Sequence, residues 1–354
     1  MRTVSFKYKV IRNGGEMGFL FPAAGSAPVI QMNDSAEIKT SLRGVFAAQA
    51  LDVDGNAITP NWLTDELQPV LEIDGAPSPL GVFLPATVTP EEKNGIQTLS
   101  IEAYDRAWRI QDVNSEGSLY FAAGTNYLDA VVQLLTAAGI ALVVKTPTAA
   151  TLTEARQDWD IWTSYLKIIN ELLGEINYNP VWFNERGAAV LEPASVPTAE
   201  NIEHTLDASN VESLLLPQIS RTTDVYRAPN VFLCVCSNAD KSGPLVATAE
   251  NTNPQSPLSI MRRGRRIMSV KRVNNIASQA ELQAYADRLR NESMLTGETI
   301  RVTTALLPGF GVADVTAIHY GDLSAVCVER AWSMELTVGG SMQHTLERVV
   351  AQIG

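Results

Sequence analysis

ELLGEINYNPVWFNERGAAVLEP (residues 171–193) carries the chain out of one periodicity and into another. Its first residues finish a helical stripe, and Gly174 stands where a left-handed helix stop is wanted. Two short β-prone runs follow, EINYNPVWF and AAVLEP, on either side of the turn residues NERG. Tyr178 and Trp182 alternate onto one face, as the anchors of a packed hairpin should. Glu175, Glu185 and Glu192 fall at a helix end, a turn tip and a strand end, which are solvent positions. The stretch reads as a hairpin to be packed against, not as a corner built around paired acids.

Upstream of it the pattern is helical. NYLDAVVQLLTAAGI places Tyr127, Val131, Leu134, Leu135 and Ala138 on one stripe, with Asn126 as a cap, Asp129 in the first turn and Gly139 as a stop. DIWTSYLKIINELLG repeats this with Tyr165, Ile168, Ile169 and Leu172. Residues 113–205 are therefore expected to form a small α/β module of two helices and a hairpin.

On both sides of the module the signals are those of β structure. Residues 1–112 hold VSFKYKVI, MGFLF, AEIKTSLRGVF, PVLEIDG, PLGVFLPATV and IQTLSIEAYD, short runs punctuated by Gly, Asn, Asp and Pro that predict a barrel or sandwich. NVFLCVC is apolar on both faces and predicts a strand buried on both sides. AVCVERAWSMELTVGG alternates, with Val326, Val328, Trp332, Met334, Leu336 and Val338 expected inward, interrupted at Arg330. Glu329, Ser333, Glu335 and Thr337 are expected on the opposite face. Residues 206–238 and 295–354 are thus assigned to a second β-barrel. Between them, 239–294 reads as an insertion: a Pro- and Asn-rich loop, the basic run MRRGRRIMSVKR, and a helix. A Ser278–Glu281 box caps that helix, and Leu282, Tyr285, Ala286 and Leu289 form its stripe. The expected class is mainly β with α+β parts.

Composition narrows the function. The 354 residues are 45% hydrophobic and 19% charged, globular rather than disordered. A net charge of −12 argues against nonspecific binding to nucleic acid or membrane phosphates, and suits a conduit in which a polyanion does not stick. Three cysteines, Cys234, Cys236 and Cys327, are no disulfide framework and point to folding in a reducing cytoplasm. MRTVSFKYKVIRNGG has no signal-peptide core, and no apolar run has the length of a membrane span.

Catalytic signatures are missing. There is no G-x-S-x-G, H-E-x-x-H, G-x-x-x-x-G-K or G-x-G-x-x-G after a strand. His204, His319 and His344 could join a triad only by convergence in space, which spacing does not show. The cysteines lack structural zinc spacing and read as core. Arg262, Arg263, Arg265, Arg266, Lys271 and Arg272 have no interleaved aromatics for nucleic-acid stacking and read as a solvated edge pairing with carboxylates. No catalytic, cofactor-binding or metal-binding residue is assigned, and no cofactor is implied.

Four segments in order resemble the central hub family of phage tails, whose ring closes the tail tube at its host-facing end. They are AEIKTSLRGVF with NWLTDELQPVLEIDGAPSPLGVFLPAT; LLGEINYNPVWFNERGAAVLEP; RGRRIMSVKRVNNIASQAELQAYADRL; and LLPGFGVADV with ERAWSMELTVGGSMQHTLERVV. The resemblance implies two tube-like barrels of similar fold per chain, so that a homotrimer imitates a sixfold tube ring and docks on it. Its implied partners are the tail tube or distal tail protein, the tape measure protein, and tip, spike or fibre proteins. DNA passes only as transient cargo through the lumen, and no membrane anchor is implied. The implied location is the baseplate or tail tip of a virion assembled in the host cytoplasm. Many relatives continue into spike, fibre or peptidase domains, whereas this chain ends at Gly354, so penetration and receptor binding are expected of other proteins. Arg330 and the run 262–272 become candidates for inter-subunit or inter-domain salt bridges, pairing within the chain being the alternative. Two other classes stay open: a tail-associated wall hydrolase, which needs a cleft with acid and base or a metal, and a hexameric distal collar.

Overall fold

The computed structural model describes residues 3–115, 117, 119–194, 197–210, 214–222, 228–236, 245–273, 276, 278–295 and 298–348. The chain is mainly β and divides into two compact units that interleave in sequence. The first takes 1–193, 304–312 and 331–343; the second takes 194–303, 313–330 and 344–354. The α/β module thus shares a unit with the amino-terminal β structure, and the expected boundaries at 112 and 205 do not separate compact bodies.

The first unit opens with ten strands: β1 (Val4–Arg12), β2 (Gly15–Leu20), β3 (Val29–Asn33), β4 (Thr40–Ala47), β5 (Ala50–Leu51), β6 (Ala57–Ile58), β7 (Glu66–Ile73), β8 (Ala76–Pro79), β9 (Phe83–Lys93) and β10 (Ile96–Asp105). They pair in the order β3-β4-β10-β9-β7-β1-β2-β5-β6, with β8 on β7. Just past β2 the chain returns to β4: Pro22 bridges Phe46, Ala47 N donates to Phe21 O (2.8 Å) and Ala23 N to Val45 O (2.9 Å). The sheet β4-β10-β9-β7-β1-β2 thus curls back toward β4 without closing a barrel: β7 meets β9 at one register position, Leu67–Phe83, and the return to β4 is made by residues 21–23, past the end of β2. Period-two alternation fills the inside with Tyr8, Val10, Leu42, Phe46, Leu99 and Ile101. Burial raises the Tyr8 phenol well above its usual pKa, and its hydroxyl donates to Leu336 O at 3.1 Å. β3 is a strand that the sequence reading does not assign; VIQMN alternates, with Ile30 and Met32 buried and Gln31 and Asn33 exposed, but over only five residues.

The rest of this unit comprises α1 (Ala107–Asp112), α2 (Tyr127–Ala137), β11 (Val143–Lys145), α3 (Tyr165–Glu175), β12 (Trp182–Phe183) and β13 (Ala189–Leu191). The α2 reading holds: Asn126 accepts from Leu128 N, Gly139 has φ +78°, and the whole predicted stripe is buried. In α3, Ser164 caps by accepting from Lys167 N. Gly174 is not its stop; the helix runs on to Glu175, and the left-handed residue is Asn177 (φ 57°), beyond which Tyr178 N donates to Leu173 O. The hairpin forms as read, and β13 also pairs in parallel with β11.

The second unit contains β14 (His204–Asp207), β15 (Leu215–Thr222), β16 (Val231–Cys236), β17 (Leu245–Glu250), α4 (Ile260–Arg263), β18 (Met268–Val273) and α5 (Gln279–Leu295). β19 (Thr299–Ala305), β20 (Val315–Tyr320), β21 (Leu323–Glu335) and β22 (Ser341–Arg348) follow, their ends shared between the units as the residue ranges above dictate. Pairing in the order β15-β19-β22-β21-β20-β14 makes a sheet with no return among the described residues. NVFLCVC does not join it. As β16 it is the middle strand of a separate sheet, β17-β16-β18, backed by α5. The segment assigned to a second barrel at 231–236 therefore belongs with the insertion.

β21 departs from its expected alternation. From Leu323 to Glu329 the buried residues are the odd-numbered ones, with Val328 beside them; from Trp332 to Leu336 they are even-numbered. The change of parity coincides with the passage from one unit's residues to the other's between Arg330 and Ala331. Glu329, expected outward, is fully buried.

Candidate functional site

The histidines do not converge. His204 Nε2 lies 2.8 Å from Asp314 Oδ2, tying the residue after the α/β module to the loop before β20. His319 Nδ1 lies 3.1 Å from Ser324 Oγ on an exposed hairpin, with Asp207 on the neighbouring strand. That trio has the wrong connectivity for acyl transfer. The hydroxyl sits on the nitrogen a carboxylate should orient, and Asp207 spends an oxygen on Ser209 N (2.8 Å) and Oγ (2.7 Å) to close its own turn. His344 Nδ1 lies 2.8 Å from Glu329 Oε2, both side chains 0% exposed. Glu329 Oε1 has no hydrogen-bond partner, and burial raises the carboxyl's pKa against the pull of His344. This pair sits within the sheet, away from any solvent a substrate could use.

The cysteines are core residues. Cys234 and Cys236 lie in the small core under α5 and Cys327 in the larger sheet, all buried and none in a disulfide. Burial pushes the Cys327 thiol up to about 12, far from a reactive thiolate. Among the described residues no three His, Cys, Asp or Glu side chains are placed to hold a metal.

The carboxylates of the hairpin part company. Glu185 is exposed at the turn tip, and Glu192 accepts from Trp182 Nε1 at 3.0 Å. Glu175, expected in solvent, is nearly buried. Arg156 Nη1 reaches its two oxygens at 2.7 and 2.9 Å, and the Tyr127 hydroxyl donates to it at 2.9 Å. Arg156 also binds Asp158 (2.7 Å) and lies 4.6 Å over the Trp159 ring, whose Nε1 donates to Glu171 (2.8 Å). Desolvation pushes Glu175 up to about 7 in spite of Arg156. Arg156 Nε, Nη1 and Nη2, the Tyr127 hydroxyl and Trp159 Nε1 all donate to carboxylates of the chain, so the cluster ties α2, α3 and the loop between them. Sequence reasoning missed it because Arg156 lies in a loop with no periodicity; Tyr127 and Trp159 were the available signals.

The turn NERG shows what the hairpin is for. Gly81 N donates to Glu185 O (3.0 Å), and Arg106 Nη1 donates to Gly187 O (2.8 Å). Arg106 also grips Glu66 through two bonds of 2.9 and 2.6 Å. Gly187 has φ +72°, and a Cβ there would stand 2.8 Å from Val82. The tip is a docking element of the first unit.

Positive charges of interest mostly find acceptors in their own chain. Arg330 Nε binds Glu347 at 2.7 Å, which realises the within-chain alternative. Arg266 pairs with Glu250, Arg262 Nε donates to Pro254 O (2.9 Å), and Arg263 donates to Ala228 O. What the described residues offer is bonded scaffold and surface, without an assembled reaction centre.

No protein-family model and no curated protein sequence matches the chain. Solved structures do. The tail protein from Neisseria meningitidis MC58 superposes with a TM-score of 0.67 at 14% identity, covering 97% of this chain and 96% of its own. The 43 kDa tail protein of prophage MuSo2 from Shewanella oneidensis gives 0.65 at 11% identity, with 97% and 98% covered. An E. coli type VI secretion component, described as similar to the T4 tail proteins gp27 and gp5, gives 0.53 at 9% identity over 97% of this chain and 77% of its own. The chain shares its fold with these proteins over 97% of its length.

Proposed function

We propose that this chain is a structural hub of a bacteriophage tail tip or baseplate, a ring-forming homotrimer that docks on the hexameric tail tube. It connects the tube to tip, spike or fibre proteins and leaves a lumen for DNA. The observation that carries this reading is the span of the likeness: 97% of the chain is matched by tail proteins that are themselves matched over 96% and 98% of their length. The polar clusters act in the same sense, each bonded into the scaffold instead of facing a cleft.

The acidic balance of −12 supports a lumen that does not trap phosphates. Mechanically, a coupler needs stiff units and specific faces, not a reacting group. The test is stoichiometry and shape. The purified chain should run near three times 38.4 kDa, about 115 kDa, or trimerise on tubes, and negative-stain images should show an annulus with a central hole. A compact dimer without an opening, or a ring of six, overturns the reading.

A further inference from the structure

The sheet β17-β16-β18 is covered on one side only. Ladder partners share a face, so Cys234, Cys236, Ala247 and Ala249 turn together toward Leu282 and Ala286 of α5. The other face carries Leu233, Val235, Val246, Met268 and Val270. Met268 and Val270 are each 54% exposed and Val246 48%, although NVFLCVC has the composition of a strand covered on both sides. The segment that leads into and forms β18 is the chain's concentration of positive charge in sequence, with Lys271 turned to the α5 side opposite Cys234. Residues 260–273 hold six Arg and Lys and no acid, while the other 21 cations are set against all 39 carboxylates. Arg272 lies on the open face itself, and the Arg266–Glu250 pair stands at its other end.

The first unit presents a surface of opposite character. Trp162 is 73% exposed at φ +74°, a conformation that a bulky residue adopts only under constraint. The constraint is visible. Trp162 N donates to Ser115 O (2.9 Å), Ser115 N to Thr163 O (3.1 Å), and the Ser115 and Thr163 hydroxyls both bind Asp160 O (3.2 and 2.7 Å). A braced loop thus holds an indole in water, with Ile161 exposed next to it and the exposed Asp160 two residues away in the chain.

We propose that the open face of β17-β16-β18 seats a second copy of this chain, through that copy's acidic Trp162 loop. The two surfaces match in kind: an apolar face carrying Arg272, and a rigid aromatic anchor two residues from Asp160. They are different surfaces of one chain, so the contact can repeat head-to-tail, which builds a ring when its rotation closes. The proposal rests on the ring-forming reading above and assigns its contact.

The test mixes two single variants, Trp162→Cys and Val270→Cys, and oxidises them. The native cysteines are buried, so a two-chain band requires the proposed contact, and each variant alone should give little of it. By light scattering against concentration, Trp162→Ala should weaken association about 30-fold. Arg272→Glu should weaken it about tenfold, more at low salt, with part of the loss restored by Asp160→Lys. Circular dichroism reports whether each variant folds, and the cross-link does not depend on the weakened ones. A ring of three that keeps its mass in both variants and yields no cross-link overturns the inference and leaves the hub reading standing. A wild-type chain that never self-associates, free or on tubes, removes both.

Discussion

The helical module of residues 107–193 turns polar side chains inward and satisfies them, whereas the sheet of residues 231–273 turns apolar side chains outward. In the first region Arg156, Glu175, Tyr127 and Trp159 each find a partner inside one large core of some of the bulkiest residues in the chain. In the second, the buried residues of the core under α5 are Cys, Ala, Leu and Ile, with Val273 and Tyr285 packed at its edge. A region that encloses its own polar groups is finished by folding. A one-sided sheet with bulky apolar residues in water is finished by association. The contrast teaches where to look for stability and where for partners.

The hardest blow to the self-contained region should come from Arg156. Arg156→Ala strands Glu175 in a dry site without its counterion and should cost about 3–5 kcal/mol. Replacing the pair together, Arg156→Met with Glu175→Leu, should recover most of that loss, because no buried charge is left behind. Urea unfolding of the three variants decides the matter. A single alanine that costs under 1 kcal/mol would mean that the site is wetter than its burial suggests.

Gly187 comes next. Gly187→Ala places a Cβ 2.8 Å from Val82 at a left-handed φ and should cost about 2–3 kcal/mol. Gly14→Ala shares the positive φ but meets nothing within 4 Å, and should cost about 1 kcal/mol. Equal losses would mean that the turn tip is not held against Val82 and Arg106.

The same region should respond to mild acid. Folding raises Glu175 from 4.5 to about 7 and Asp105 from 3.8 to about 6, so the folded chain holds more protons than the unfolded one across pH 5–7. Stability from these groups is full below their unfolded values and is lost as pH rises through the folded ones. Unfolding free energy should therefore be about 4 kcal/mol higher at pH 5 than at pH 7.5. Glu175→Gln should flatten the slope. Below pH 4 the trend reverses, as Asp65 and Glu298, held low by Arg12 and Arg221, become protonated.

Local period was enough to find α2, α3, α5 and most strands of the first unit, because each buries one stripe or one face and its residues say so. Caps were legible where a side chain makes them, as at Asn126 and Ser278. What sequence could not show is which bodies the strands join. NVFLCVC fits the centre of any sheet, and only its ladder partners place it beside α5. β21 buries odd residues before Arg330 and even ones after, and a reading that carries one parity through must place Glu329 outside. The bonded cluster at Arg156 stayed hidden for a related reason: ion pairs join residues 19 apart with no repeat to mark them.

The smallest expected effect is the one that separates the two regions most cleanly. Val270→Ser removes apolar surface that already stands in water, so the isolated chain should unfold within about 0.5 kcal/mol of wild type. In the small core behind the same sheet, Leu282→Ala should cost about 2–3 kcal/mol, since that side chain is fully enclosed. If Val270→Ser destabilises the dilute chain as much as Leu282→Ala, the face is covered by the chain itself, and the contrast between a finished and an unfinished region fails. If it is silent in dilute solution and harmful only where chains associate, the exposure is that of a contact surface kept open for its partner.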